Sequence, residues 1–285
     1  MLDSTGLRRN SWHEDHTKSI FAADSEALPV MIARTPTSGA AALAYWEAKA
    51  ADYPRPDDAP ASADAAALRA AAAGLGARWA RRTVLDVGAG TGLHARPFAA
   101  EAARVVAVDL SPTMLAPLRA GGDVETVAAD FLTVDMAARG WEGAFDLVWA
   151  CMTPVCGAAE GVARLEAASR DQVACVTWGP AREDPVIAGA FALHGARFAA
   201  PDWHACIAAH LAQAGRAHAR LTLPWEMVRE VPVARLVADL AAHLEWLGVA
   251  PDRAALERYG AGLAREGRVR RALRAERVVW LGSVR

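Results

Sequence analysis

The feature that most constrains the fold is the stretch from Val84 to Gly92, where an apolar run meets an acidic residue and continues into alternating glycines. The apolar run is typical of a buried strand, and the pattern over residues 93–102 predicts a helix directly after the glycines. Glycine permits positive φ angles and lets a ligand approach the backbone closely. The free N–H groups of the following helix suit an anionic or polar ligand group. The stretch therefore predicts a strand, a ligand-binding turn and a helix.

The glycine spacing separates two kinds of nucleotide-binding protein. The dinucleotide fingerprint is G-x-G-x-x-G, whereas here the third glycine comes one residue earlier and Asp86 precedes the loop. The motif Asp86-Val87-Gly88-Ala89-Gly90-Thr91-Gly92 resembles motif I of the class I S-adenosylmethionine (SAM) dependent methyltransferases. That resemblance implies that the loop residues Gly88, Ala89, Gly90, Thr91 and Gly92 wrap the methionine part of SAM and that Asp86 helps to hold its amino acid end. An NAD dehydrogenase is disfavoured, because no hydride-transfer constellation is evident.

Two further acidic residues follow β-like runs. The run Arg104 to Asp109 precedes a helix start with Pro112 near its first position, and the run Val124 to Ala129 precedes Asp130-Phe131. The family resemblance implies that Asp109 binds the ribose hydroxyls. A carboxylate can accept a hydrogen bond from each of the two hydroxyls. It also implies that Asp130 accepts from the adenine amino group while Phe131 lies along the ring. The predicted cofactor set is completed by neighbours of these motifs: Leu110, Met114 and Ala150.

An aromatic-rich helical pattern runs from Ala40 to Tyr53. It resembles the N-terminal helix of many small-molecule methyltransferases, which closes over SAM, and this implies that Tyr53 reaches the cofactor carboxylate. Trp46 on the same face is predicted to contact the acceptor substrate. The alternative is that Trp46 and Tyr53 only pack this helix against the domain.

Strands alternating with helices predict parallel β-α-β units. We expect an α/β, Rossmann-like, doubly wound sheet of seven mostly parallel strands, with a reversed last strand inserted between neighbours, as the family resemblance implies. The domain prediction is an arm over residues 1–35 and a SAM-binding domain over 36–285, with an N-terminal helical lid (36–80), a core (81–180) and substrate-side helical insertions and last strands (181–285). Within it we expect a short helix over 133–139, a loop opening at Trp178-Gly179-Pro180, strands over 221–228 and 276–281, and a solvated arginine-rich loop before the last strand, in preference to an anion site.

The composition argues against several classes of protein. The net charge is −2, with both signs mixed along the chain, so no general attraction to nucleic acid is expected. No apolar run approaches the roughly 20 residues that span a membrane, and the polar stretch Met1 to Lys18 lacks a signal-peptide core. We therefore expect a cytoplasmic protein without a membrane partner, as a monomer or homodimer. The four cysteines lack C-x-x-C spacing, so no metal site is expected, and His13-Glu14-Asp15-His16 is better explained as a polar arm than as metal ligands.

The acceptor should lie beyond the carboxyl end of the fourth strand, at Trp149-Ala150-Cys151-Met152-Thr153-Pro154-Val155-Cys156. This segment lacks the Asn/Asp-Pro-Pro-aromatic tetrad of amino-group DNA methyltransferases, and no Pro-Cys pair occurs here as in C5 enzymes. The residues predicted to bind the acceptor are Trp46, Met152, Trp178 and Trp203. The candidate general bases are His204 and His94, and the helix dipole should depress the pKa of His94, which favours contact with the cofactor.

The sequence thus predicts methyl transfer from SAM to a small-molecule acceptor, with S-adenosylhomocysteine as the product. Because the cofactor supplies the electrophile, the protein mainly aligns the acceptor and removes water. Two alternatives stay open: a methyltransferase acting on RNA or protein, and a SAM-binding sensor or partner subunit without transferase activity. The acceptor atom is not determined by the sequence.

Overall fold

The computed structural model describes residues 30–32, 38–200 and 202–284. Most of the predicted arm, including His13 and His16, lies outside them. The described residues group into two compact units. The sheet unit contains residues 38–183, 200, 202–227 and 272–284, and the helical unit contains residues 30–32, 184–199 and 228–271.

The strands and helices are numbered in chain order. The strands are β1 (Val30–Ile32), β2 (Thr83–Val87), β3 (Arg104–Asp109), β4 (Glu125–Ala128), β5 (Phe145–Cys151), β6 (Ser169–Glu183), β7 (Arg197–Ala199), β8 (His218–Pro232) and β9 (Arg268–Ser283). The α-helices are α1 (Gly39–Lys49), α2 (Ala59–Gly74), α3 (Ala95–Ala99), α4 (Pro112–Gly121), α5 (Ala159–Ala168), α6 (Pro185–Leu193), α7 (Trp203–Ala214), α8 (Val233–Trp246) and α9 (Arg253–Leu263).

The main sheet has the strand order β4-β3-β2-β5-β6-β9-β8 among the described residues. Strands β2 to β6 pair in parallel, whereas β9 is antiparallel to β6 and lies between β6 and β8. The predicted doubly wound, mostly parallel sheet with an inserted reversed strand is confirmed. From β2 the chain proceeds outward to β3 and β4, and it then returns to β5 on the other side of β2. The carboxyl ends of β2 and β5 therefore flank the topological switch point, which is where ligands bind in open α/β sheets.

Both faces of the sheet are covered, which explains why its central strands are apolar throughout. One face buries Leu85, Val87 and Val148 against a cluster that includes Leu165 of α5 and Ile207 of α7. The other face carries its own cluster, which contains Val84, Leu147 and Trp149 of the sheet, Leu68 of α2, Phe98 of α3 and Leu115 of α4. Because both faces are packed, the carboxyl edge of the sheet is left for the site.

The expected helix over 133–139 is wrong, because this stretch forms successive turns. Arg164 donates to the carbonyl of Phe131 at 2.9 Å and to that of Val134 at 2.5 Å. The Asp135 carboxylate accepts from the N–H of Ala138 at 2.9 Å. Side chains therefore provide hydrogen bonds that a helix would have taken from its own backbone.

The strands after residue 170 are longer than predicted. The loop expected at Trp178-Gly179-Pro180 is instead a register shift between Trp178 and Arg182, after which β6 again pairs with β9. Pro180 lacks an N–H, which suits such an irregularity. The arginine-rich stretch expected as a solvated loop lies largely in β9, where the guanidinium groups of Arg271, Arg274 and Arg277 pair with carboxylates. Pro224 lies in β8 at the edge of the sheet, where a strand tolerates proline.

The helical unit has its own apolar core, formed by residues of α6, α8 and α9 such as Ile187, Leu240 and Leu256. Its short strands β1 and β7 pair in parallel, and β1 is too short to produce a recognisable sequence period. The Asp184 carboxylate, nearly buried, accepts from both Nε and Nη2 of Arg271. No helix in the described ranges is long and apolar enough to cross a membrane.

Candidate active site

A pocket opens at the carboxyl ends of β2, β3, β4 and β5 and encloses about 600 Å³ of empty space, including solvent at its mouth. It is formed by the glycine loop, the loops after β3 and β4, the turn after β5 and two aromatic residues from the N-terminal segment. Its described lining residues are Trp46, Tyr53, Gly88, Gly90, Val108, Asp109, Leu110, Met114, Ala129, Asp130, Phe131, Met152, Thr153, Pro154 and Val155.

The glycine loop needs its glycines for conformation and for space. Gly88, Gly90 and Gly92 have φ of +70°, +54° and +94°, which L side chains rarely adopt. A Cβ on Gly88 would lie 2.6 Å from Thr153 Oγ1, and one on Gly92 would lie 2.3 Å from Leu118 Cδ2. Between them, Thr91 is buried and donates from Oγ1 to the carbonyl of Pro54 at 2.5 Å.

The acid at the end of β3, Asp109, and the acid after β4, Asp130, both line the pocket. Asp109 accepts from the Gly90 N–H at 2.8 Å through Oδ2 and from the Ser111 N–H at 2.9 Å through Oδ1. Burial raises its pKa, and the two N–H donors oppose that shift. Asp130 Oδ2 accepts from the Gly39 N–H at 3.0 Å. Each oxygen keeps acceptor capacity for a ligand, since a carboxylate has about four lone-pair sites.

The lid contributes Trp46 and Tyr53, whose rings meet edge to face with centroids 6.4 Å apart. Tyr53 lies against the glycine loop, since a Cβ on Gly90 would be 3.5 Å from its ring. Burial raises the pKa of Tyr53 to about 12, so its hydroxyl stays protonated and can donate a hydrogen bond. These aromatics therefore line the pocket as well as packing the helix.

Asp86 lies beneath the glycine loop and is not among the lining residues. It is 1% exposed, accepts from the backbone N–H of Ala95 at the start of α3, and its Oδ2 has no hydrogen-bond partner within the described chain. Burial, followed by the negative charge of Asp109, raises its pKa to about 7. This position ties the carboxyl to the helix that follows the loop.

His94 also lies behind the loop. Its Nδ1 is 3.3 Å from Arg69 Nη1, and its ring is 5.0 Å from that of Trp149. Since Arg69 can only donate, Nδ1 accepts, which leaves the proton of the neutral ring on Nε2. Burial, followed by the charges of Arg69 and Arg277, lowers the pKa of His94 to about 3, so the ring is neutral.

The residues predicted for the acceptor are not all at one place. Trp46 and Met152 line the pocket, whereas Trp178, Trp203 and His204 are absent from its described lining. The Trp178 ring contacts that of Trp225 at a tilt of 57°, with ring centroids 5.0 Å apart. Trp203 packs on Gly157, where a Cβ would lie 2.7 Å from the indole, and the His204 ring is 5.0 Å from that of Trp280.

Of the remaining residues predicted to bind the cofactor, some line the pocket and others are packed in the core. Leu110, Met114 and Phe131 line the pocket, whereas Ala89 and Ala150 pack in the clusters on the two faces of the sheet. The lining residues Thr153, Pro154 and Val155 fall in the segment predicted to lie beside the acceptor, although only Met152 of the lining turn was predicted to bind it; Val108 and Ala129 were not predicted. The Thr-Pro pair was a usable signal, since Thr153 caps a short 3-10 turn that begins at Pro154.

Comparison with known proteins gives a family match within the sheet unit. Residues 84–170 match a family model described as a methyltransferase domain. This range contains the glycine loop and the acids after β3 and β4. A comparison with curated proteins finds no significant match.

Solved structures with a similar fold include a candidate methyltransferase from Bacillus halodurans, at 18% identity over 78% of this chain and 99% of that one, with a TM-score of 0.50. A cyclopropane-fatty-acyl-phospholipid synthase-like protein from Lactobacillus casei has 16% identity over 79% of this chain and 94% of its own, with a TM-score of 0.48. The magnesium protoporphyrin IX methyltransferase from Synechocystis, with bound S-adenosylhomocysteine, has 14% identity over 77% and 81%, with a TM-score of 0.39. Residues 84–170 therefore match a methyltransferase domain, in agreement with the prediction from the strand-end motifs.

Proposed function

We propose that the protein transfers a methyl group from SAM to a small-molecule acceptor bound beside the turn after β5. The observation that carries the proposal is that one pocket is lined by the glycine loop, by Asp109 and by Asp130, which come from three adjacent strand ends. SAM is the cofactor of the family to which the domain belongs. The acceptor class is our inference from the pocket.

The pocket fits the cofactor chemically. SAM carries a sulfonium and an ammonium against a single carboxylate, so a pocket with two acids complements its net positive charge. We assign Asp109 to the ribose hydroxyls and Asp130 with Phe131 to the adenine. The backbone of Gly88 and Gly90 then faces the methionine part, where a side chain would have met Thr153 or Tyr53.

When bound, SAM supplies an electrophilic methyl group on its sulfonium sulfur. The chain's contribution is to hold the acceptor in line and to exclude water. Trp46, Met152 and Pro154 provide an apolar wall for this purpose. The titratable side chains in the described lining are Tyr53, Asp109 and Asp130. A histidine with a pKa near 3, such as His94, is too weak a base to ionise an alcohol. We therefore favour an acceptor that is already nucleophilic, such as an amine or a thiolate.

A small acceptor is favoured over RNA or protein because the aromatic lid residues Trp46 and Tyr53 line the pocket and the chain carries no excess of positive charge. A macromolecular acceptor would have to reach the methyl group past them.

The test begins with calorimetric titration of the purified chain with SAM, S-adenosylhomocysteine and NAD. We expect micromolar binding of both adenosyl ligands and none of NAD, followed by S-adenosylhomocysteine release with a panel of small amines, thiols and phenols. Failure to bind either adenosyl ligand would refute the proposal. Tight SAM binding with no turnover on any acceptor would instead favour a SAM-binding sensor or partner subunit, and turnover only on RNA or protein would favour the macromolecular alternative.

A further inference from the structure

The lid segment, defined as residues 39–54, is joined to each of the three loops that form the cofactor side of the pocket. At its start, the Gly39 N–H donates to Asp130 Oδ2 at 3.0 Å. At its end, the Pro54 carbonyl accepts from Thr91 Oγ1 in the glycine loop at 2.5 Å. Near its middle, Glu47 reaches the start of α4, directly after Asp109. The segment is therefore held at three points around the pocket.

Of these three points, Glu47 accepts the most hydrogen bonds. Its Oε1 accepts from Ser111 Oγ at 2.5 Å and from the Thr113 N–H at 3.2 Å, and its Oε2 accepts from Thr113 Oγ1 at 2.5 Å. These hydroxyl donors lower the pKa of Glu47, so it is ionised at neutral pH. Hydrogen bonds to an ionised carboxylate are the stronger kind.

The contact is continuous with the cofactor site. Ser111 is the N-cap of α4: its Oγ accepts from the Met114 N–H at 3.0 Å, and its own N–H donates to Asp109 Oδ1 at 2.9 Å. Met114 and Asp109 both line the pocket. On the lid side, Glu47 follows Trp46, which also lines the pocket. The Glu47 carboxylate thus joins the lid segment, next to Trp46, to Ser111. Ser111 in turn binds Asp109, the residue predicted to bind the ribose.

We propose that Glu47 is a positioning residue that latches the lid segment across the pocket and sets the rate at which the cofactor and its demethylated product leave. The second half of this proposal rests on the proposed function, whereas the latch itself does not. Trp46 and Tyr53 cover the ligand only while the segment stays in place, so a ligand leaves when the contacts of Glu47 break. Opening exchanges these hydrogen bonds for bonds to water, so the latch can open reversibly at modest cost.

The first experiment measures dissociation of S-adenosylhomocysteine by stopped flow in Glu47→Ala, Thr113→Val and the double variant. Alanine has the higher helix propensity, so this change does not weaken α1 as a helix. We expect the dissociation rate to rise about tenfold in Glu47→Ala, the size expected for a lost charge-assisted hydrogen bond. The double variant should be no faster than the quicker single one, because both changes remove the same contact. Glu160→Ala, a matched loss of a carboxylate on α5, should stay within about twofold of wild type.

The second experiment needs no ligand and separates the latch from the proposed function. Amide hydrogen exchange is measured in the free protein over residues 39–53. We expect exchange to quicken about tenfold in Glu47→Ala and to be unchanged in Glu160→Ala, with the central strands protected equally in both. If exchange is unchanged in Glu47→Ala, the latch is refuted. If exchange quickens but the dissociation rate does not, the claim on ligand release is refuted. A wild-type chain that binds no adenosyl ligand would refute the proposed function, and the exchange result would still decide the latch.

Discussion

The two sides of the pocket are built in different ways. The side that we assign to the cofactor comes from short segments at the ends of β2, β3 and β4, and backbone hydrogen bonds fix much of its shape: the N–H groups of Gly88 and Ala89 donate to the Val108 carbonyl at 2.8 and 3.1 Å. The side that we assign to the acceptor combines Trp46 with the turn Met152–Val155. Trp178 and Trp203, which were also expected there, pack against other partners.

This difference has a physical cause. A loop whose conformation depends on positive φ and on close packing admits few residue types, so its sequence is restricted. An apolar wall can be formed by many side chains from many positions, so its sequence is nearly free. The cofactor side should therefore be sensitive to small substitutions, whereas the acceptor side should tolerate them without loss of cofactor binding.

The largest effect is expected from Gly92→Ala. The residue has a φ of +94°, and the new Cβ would lie 2.3 Å from Leu118 Cδ2 in the buried cluster. Strain and overpacking together should lower the free energy of unfolding by about 3 kcal/mol or more, measured by urea denaturation. Gly122→Ala is the matched control, since it has a φ of +74° and open space around it, and it should cost about 1 kcal/mol. Equal losses in the two variants would show that the loop is not restricted by packing.

The next effect concerns cofactor binding through Asp109. Asp109→Ala should weaken SAM binding by about 1.5–3 kcal/mol in calorimetry, the scale of hydrogen bonds to a charged group. Because Asp109 also accepts from the N–H groups of Gly90 and Ser111, the fold of the variant should be checked by circular dichroism. Asp123→Ala, after α4, serves as a control and should bind SAM as wild type does. An unchanged dissociation constant in Asp109→Ala would refute the assignment of this residue to the ribose.

A smaller effect is expected from Asp86, and it depends on pH. Burial raises its pKa to about 7 in the folded chain, above the value of about 4 that an aspartic acid has when unfolded. The folded state therefore holds the proton more tightly, and the stability from this group is complete below about pH 4 and is lost as the pH rises through about 7. Between about pH 5 and pH 6 the loss should be about 1.3 kcal/mol.

The measurement compares urea denaturation of wild type and Asp86→Asn across this pH range. The asparagine variant should lack this component of the pH dependence, because its amide does not titrate. If both proteins show the same slope, Asp86 is not the buried group responsible. Such a result would also weaken the view that the buried Asp86 carboxyl beneath the glycine loop helps to shape the cofactor side.

The sequence predicted the cofactor side of the pocket better than the acceptor side. The Asp86–Gly92 motif, the mostly parallel seven-stranded sheet and the inserted last strand were predictable, because each follows from a local pattern or from the family resemblance. The place of Trp178 was not, because β6 continues to Glu183 and its pairing with β9 is a contact between distant segments. His204 was a candidate general base, and its position beside Trp280 likewise depends on a strand far away in sequence.

The smallest effect, and the sharpest test of the comparison, is expected from Trp178→Phe. The indole lies in a cluster with Arg182, whose Cζ is 5.1 Å from the ring centroid, and with Trp225, over which Arg277 lies at 5.5 Å. Arg277 is held in turn by Asp64, at 2.5 and 2.7 Å. A phenylalanine keeps an aromatic face in this cluster, so SAM affinity in calorimetry should change by less than about twofold. A change above about fivefold would place Trp178 in the cofactor side and break the division between the two sides. An unchanged SAM affinity with a raised KM for the acceptor would place it in the acceptor site, although it is absent from the described lining.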